Sequence, residues 1–161
     1  MLREDFIHIS VCGGICKSSW MLLGGEPPGG SSDTLKRIYI RDPVVARDKS
    51  PDPRRHSKGA EKIDMIAQKG RELLLIEAKP TYSLSDQQKL LRIKYERNDD
   101  LFRALRERCN IGKNDIDKIQ LALAFSGPSV RPPHQEFVHF IVSPDGSLEL
   151  RLGESVSNFK V

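Results

Sequence analysis

The chain has 161 residues, of which 38% are apolar and 30% charged, and its formal charge is +4. That length is most simply one domain, and it is long enough to bury a real core without staples. The composition is that of a globular rather than a disordered protein, and no apolar run approaches the roughly 20 residues that span a bilayer. The start, MLREDFIHIS, carries acidic residues where a signal peptide would be basic and then apolar, so a cytoplasmic location and no membrane partner are expected.

The mild positive charge suits a polyanionic partner without establishing one. Three cysteines argue against a disulfide framework and for reduced surroundings. Cys12 and Cys16 are separated by three residues, which is not a redox spacing, and no second Cys or His pair follows to complete a zinc site.

Residues 1–34 give the weakest pattern. FIHISV reads as a short strand with Phe6, His8 and Ser10 on one face, SSWMLL as a short helix or strand, and GGEPPGGSS as a loop. TLKRIYIR alternates as a strand. The polar, proline-punctuated stretch after it is a long connection, with seven Lys/Arg against four Asp/Glu between Arg41 and Lys62. It reads either as a solvated loop or as an arm that meets a phosphate backbone. On the second reading Arg54, Arg55, His56 and Lys58 are the nucleic-acid-binding candidates.

EKIDMIAQ is expected to be one strand, with Ile63, Met65 and Ala67 on one face and Asp64 and Ile66 on the other. A turn at Lys69-Gly70 returns the chain through RELLLIEAK, which is apolar on both faces as befits a central strand. The long segment from Pro80 to Arg108 carries a helical stripe that includes Leu84, Leu91, Tyr95, Phe102 and Leu105. Ser83 or Ser85 is its cap, and Asn98-Asp99-Asp100 is a place where a second helix can start. The stretch ends near Gly112. DKIQLALAFSG is a further strand, and EFVHFIVS and SLELRLG form a hairpin around Pro144-Asp145-Gly146, with His139 on a polar face. Together these elements make an α/β or α+β domain with one mixed central sheet and flanking helices. One helix cannot cover both sheet faces. The second cover has to come from residues 1–34, from the segment after Asp99 folding back, or from another subunit.

Chemistry concentrates at Asp64, Glu77 and Lys79. Strand alternation puts Glu77 and Lys79 on one face, while a turn centred on Lys69-Gly70 pairs Asp64 with about position 75 and leaves Glu77 diagonally across. Neighbouring carboxylates repel, and a divalent cation relieves that repulsion. Asp64, Glu77 and the backbone carbonyl of Ala78 are oxygen ligands suited to Mg²⁺ or Mn²⁺. Lys79 is placed to orient or deprotonate an attacking water and to offset charge on phosphate. Glu61, three residues before Asp64, reads as a surface charge.

The pattern D-x12-E-A-K, with both parts on strands and a helix immediately after, resembles the active-site signature of the PD-(D/E)xK superfamily, which includes restriction endonucleases and Holliday-junction resolvases. The resemblance covers roughly residues 59–126 of a single nuclease-like domain and leaves 1–34 as a poorly defined N-terminal region. It implies a restriction-endonuclease-like fold and Mg²⁺-dependent hydrolysis of DNA phosphodiester bonds, with Asp64, Glu77 and Lys79 as catalytic residues. Gln88, on the following helix, is carried over as a fourth catalytic residue, and the location becomes cytoplasmic or nucleoid-associated. A homodimer is expected, because cutting both strands commonly takes two sites. Ile63 stands where many members have proline, and Gln88 and Tyr95 lie too far apart for the QxxxY pattern of one subgroup. The family helix that precedes the first core strand, often with a further Glu, has no counterpart in the glycine-rich N-terminal pattern, so neither Glu4 nor Glu26 is assigned. The alternative is a catalytically inactive DNA-binding or accessory subunit.

Overall fold

The computed structural model describes residues 2–25, the backbone of 39–40, and residues 61–127 and 132–161. Arg54, Arg55, His56 and Lys58 lie outside the described residues, as does most of the expected strand TLKRIYIR.

The first element corrects the sequence reading. Glu4–Cys16 is an α-helix, α1, not a strand. Its buried residues Ile7, Val11 and Ile15 recur at helical spacing, with His8 beside them. The β-branched residues and glycines weaken its intrinsic propensity, so packing rather than propensity makes it helical. Glu4 and Asp5 sit in its first turn, where the helix dipole favours negative charge.

The main sheet comprises β1 (Met21–Gly24), β4 (Met65–Lys69), β5 (Glu72–Ala78), β6 (Lys118–Ser126), β7 (Phe137–Val142) and β8 (Leu148–Leu152), side by side in that order. β5, β6 and β7 are parallel to one another, and the other pairs are antiparallel. A separate two-stranded ladder joins β2 (Tyr39–Ile40) to β3 (Glu61–Lys62).

The expected strand EKIDMIAQ is therefore two strands, broken at Ile63-Asp64. The break changes the facing. Ile63 and Ile66 enter the core on one side of the sheet, while Met65 and Ala67 enter the other.

The turn after β4 also shifts. Lys69 pairs with Glu72, so Gly70 and Arg71 form the two-residue turn, and Gly70 takes a φ of 58° that favours glycine. From Met65 opposite Ile76, one further step sets Asp64 against Glu77 rather than near position 75.

Two helices, α2 (Leu84–Tyr95) and α3 (Asn98–Cys109), carry the chain from β5 to β6. Ser83 caps α2 by accepting from the Asp86 amide, and the expected restart at Asn98-Asp99-Asp100 is the first turn of α3. Asn110, in the left-handed conformation at φ 56°, ends α3 two residues before the expected glycine. Both helices pack on Leu73, Leu75, Leu121 and Leu123. α1, Trp20 and Phe159 cover the opposite face, over Leu74, Ile76, Ala122 and Phe140. Each such fully buried aliphatic side chain contributes roughly 1.5–3 kcal/mol. The second cover thus comes from within residues 1–34.

β7 is buried along its whole length, so His139 is a core residue, not a polar-face one. Among the described residues, no helix is long and apolar enough to cross a membrane.

Candidate functional site

At the Ile63-Asp64 break the chain leaves the small ladder for the main sheet, and the missing ladder contact is supplied by a side chain. Asp64 Oδ2 accepts a hydrogen bond from the Ala78 amide at 2.8 Å. The next amide, Lys79 N–H, donates to Ala124 O on β6 at 3.0 Å. Alternation along the strand therefore turns both the N–H and the carbonyl of Ala78 toward the β4 side, where Asp64 sits.

The Asp64 main chain is held from two directions. His8 Nε2 on α1 lies 3.3 Å from its carbonyl oxygen. Gly25, just past β1, approaches so closely that a Cβ there would lie 2.2 Å from the same oxygen. Only glycine fits that contact.

Glu77, directly across, is 3% exposed. Its carboxyl hydrogen-bonds the Asp64 carboxylate and also accepts from Lys89 Nζ at 2.5 Å. Burial, then the charge and hydrogen bond of Asp64, push its pKa up to about 9 against the opposing pull of Lys89. At neutral pH Glu77 accordingly keeps its proton, with Lys89 held against it.

Lys79 has an acidic neighbour besides the pair. It follows the last residue of β5, Ala78, while its amide continues the ladder to Ala124. Its ammonium lies 3.8 Å from Glu4 on α1. Burial lowers the Lys79 pKa, but Glu4, Asp86, Asp64 and Glu77 raise it further, and the net shift is upward. Lys79 is therefore an ammonium at neutral pH and not a base. Glu4, unassigned from the sequence, is the carboxylate nearest to it.

Two residues at this site were not assigned to it from the sequence. Lys89 belongs to the inward face of α2, next to Leu90, and the spacing Asp86, Leu90, Ile93 was the available signal. Asp86 stands in the first turn, in the Ser83-x-x-Asp86 pattern that marks helix starts. Its Oδ2 is buried without a hydrogen-bond partner among the described residues.

Gln88 is not brought into this group. One residue before Lys89, it is exposed on another face of α2, beside Leu91, Arg92 and Tyr95.

Glu61 is not the surface charge expected. Its side chain is mostly buried and accepts from both Arg92 and Arg97, and Arg97 pairs onward with Asp100. This network pins β3 to the junction of α2 and α3. It also engages Arg92 of α2.

Among the described residues, no group of three or more His, Cys, Asp or Glu side chains is arranged to hold a metal ion. What the site does offer is two touching carboxyl groups and one main-chain carbonyl on the same strand edge. That donor set suits a hard cation that keeps most of its shell for water and phosphate.

Comparison with protein-family models, with curated proteins and with solved structures found no match.

Proposed function

We propose that the chain is a divalent-cation-dependent endonuclease that hydrolyses DNA phosphodiester bonds, in the manner of the PD-(D/E)xK enzymes whose signature it resembles. The observation supporting this is the meeting of Asp64 and Glu77 at the end of the β4–β5 hairpin, beside a lysine on the next residue but one. In this reading Asp64, Glu77 and the Ala78 carbonyl hold Mg²⁺ or Mn²⁺. Such an ion polarises a phosphoryl oxygen and lowers the pKa of a bound water.

The chain's own residues have distinct parts in it. Glu77 must give up its proton, which makes cation binding compete with protons. Lys89 orients the Glu77 carboxyl and limits the cost of its negative charge in a buried place. Lys79 stays charged and offsets charge gathering on the phosphate, rather than deprotonating water as the sequence pattern allowed. Arg54, Arg55, His56 and Lys58 are proposed to meet the DNA backbone, and two copies to act on the two strands.

The test is nicking of supercoiled plasmid in Mg²⁺ or Mn²⁺. Glu77→Gln and Asp64→Asn are expected to abolish it while leaving a cooperative unfolding transition. Manganese binding followed by electron paramagnetic resonance gives a readout independent of turnover. Persistence of nicking in both variants would refute the assignment.

One observation favours the second reading, an inactive DNA-binding or accessory subunit: Glu77 already has a cation, Lys89, at 2.5 Å. DNA binding at low salt with neither manganese binding nor nicking would select it.

A further inference from the structure

β8 (Leu148–Leu152) closes the main sheet, and its outer side faces no further strand among the described residues. The hydrogen bonds at its two ends fix which of its main-chain groups point outward. Ser143 N–H donates to Ser147 O at 2.9 Å, and Gly153 N–H donates to Phe137 O at 2.8 Å. Both bonds continue the register that sets Phe140 opposite Leu150, so Glu149 and Arg151 are the β8 residues bonded to β7. Leu148, Leu150 and Leu152 therefore turn their N–H and carbonyl groups out of the sheet edge. Among the described residues, no backbone hydrogen bond outside the β7 ladder reaches these groups.

An open edge of this kind can take up another strand, and proteins that stay single usually block it with proline, a bulge or unmatched charge. β8 has neither proline nor a break in its register, and its two charges are of opposite sign. Its sequence, LELRL, is symmetric about Leu150 in apolar positions and antisymmetric in charge. Leu148, Leu150 and Leu152 are partly buried at the rim of the core beneath α1. Glu149 and Arg151 emerge on the other face, 3.2 Å apart.

We propose that β8 pairs antiparallel with β8 of a second copy of this chain, about a two-fold axis at Leu150, and so joins the two six-stranded sheets into one. Leu150 then faces Leu150 of the second copy, Leu148 faces its Leu152, and Glu149 faces its Arg151. The outward main-chain groups meet as hydrogen-bonded pairs, about six bonds in all. The leucines cover one another on one face, and opposite charges meet on the other. Charge also selects the register. An axis at Glu149 or at Arg151 would set like charges directly opposite, which destabilises a pair. The axis at Leu150 makes both faces complementary, as a contact between identical surfaces requires. The contact gives the two-copy arrangement of the nuclease reading a surface, but it rests on β8 alone, so failure to nick DNA would leave it standing.

Sedimentation equilibrium of the whole chain over a concentration series is expected to show a reversible monomer–dimer equilibrium. Hydrogen exchange should slow at the amides of Leu148, Leu150 and Leu152 as the dimer forms, because those N–H groups enter the new ladder. Glu149→Arg sets arginine against arginine, and Arg151→Glu sets glutamate against glutamate. Each variant by itself should weaken the dimer by about tenfold. An equimolar mixture of the two variants recreates both opposite-charge pairs and should dimerise nearly as well as the unaltered chain.

Two results would overturn the proposal without any variant. One is a monomer at every concentration, which would leave the edge to a strand of another protein. The other is a dimer whose Leu148, Leu150 and Leu152 amides exchange as fast as in the monomer. A mixture that dimerises no better than either variant alone would overturn it as well.

Discussion

Lys89 Nζ lies 2.5 Å from Glu77 Oε1, and this contact joins α2 to the end of the strand that carries the ExK pattern. Glu77 is 3% exposed, so the pair is largely withdrawn from water. Losing one partner of such a pair costs more than losing both. Lys89→Met alone should destabilise the chain by about 1–3 kcal/mol, and Glu77→Gln should recover part of that loss in the double variant. Urea unfolding of the four proteins of the cycle measures the coupling directly.

Glu77 also sets a pH dependence. Its folded pKa of about 9 stands above the ordinary 4.5, so the folded chain keeps a proton that the unfolded chain releases. That contribution to stability is full below pH 4.5 and is lost as pH rises through 9. Without added divalent cation, the urea midpoint should therefore fall on the alkaline side, and the fall should flatten in Glu77→Gln. An unchanged slope in that variant would assign the effect elsewhere.

His139 acts in the opposite direction. Burial, aided by the charge of Arg151, lowers its pKa from 6.5 to about 4. Its two ring nitrogens have no hydrogen-bond partner among the described residues, while its ring packs against Phe125 and Tyr82. The unfolded chain takes up the proton first, so stability is full above pH 6.5 and is lost as pH falls through 4. The shift corresponds to roughly 3 kcal/mol. His139→Phe should keep the aromatic packing and remove most of the acid sensitivity between those values, read from thermal unfolding at pH 7 and pH 4.

Gly25 tests the setting of Asp64. Gly25→Ala drives a methyl group into the Asp64 carbonyl, where backbone rather than a flexible side chain must yield. A loss of about 1–3 kcal/mol is expected. The Ala78 amide, which donates to Asp64 Oδ2, should lose protection in hydrogen exchange beyond that global change. Gly13→Ala, at a helical position where a Cβ meets nothing, is the matched control and should be neutral or stabilising.

The unbroken apolar run LLLI, the capping Ser83, the restart at Asn98-Asp99-Asp100 and the strand LALAF were legible in the sequence, because each is a local pattern that the final packing endorsed. The sequence also placed Glu77 at the end of a buried strand. It could not place Asp64. The facing of that residue depends on a strand break and on a turn one residue further along, and both are decided by which ladder each segment joins. α1 was misread for a related reason. FIHISV alternates well enough for a strand, and only the sheet face beneath Ile7, Val11 and Ile15 selects the helix. Lys79 carried the motif, yet its nearest carboxylate is Glu4 on α1, while Lys89, twelve residues from Glu77, reaches the Glu77 carboxyl group. Residue type and local period thus determined the central strands and the position of Glu77. Tertiary structure decided which side chains meet, since a one-residue change in register or break turns a side chain to the opposite face of the sheet.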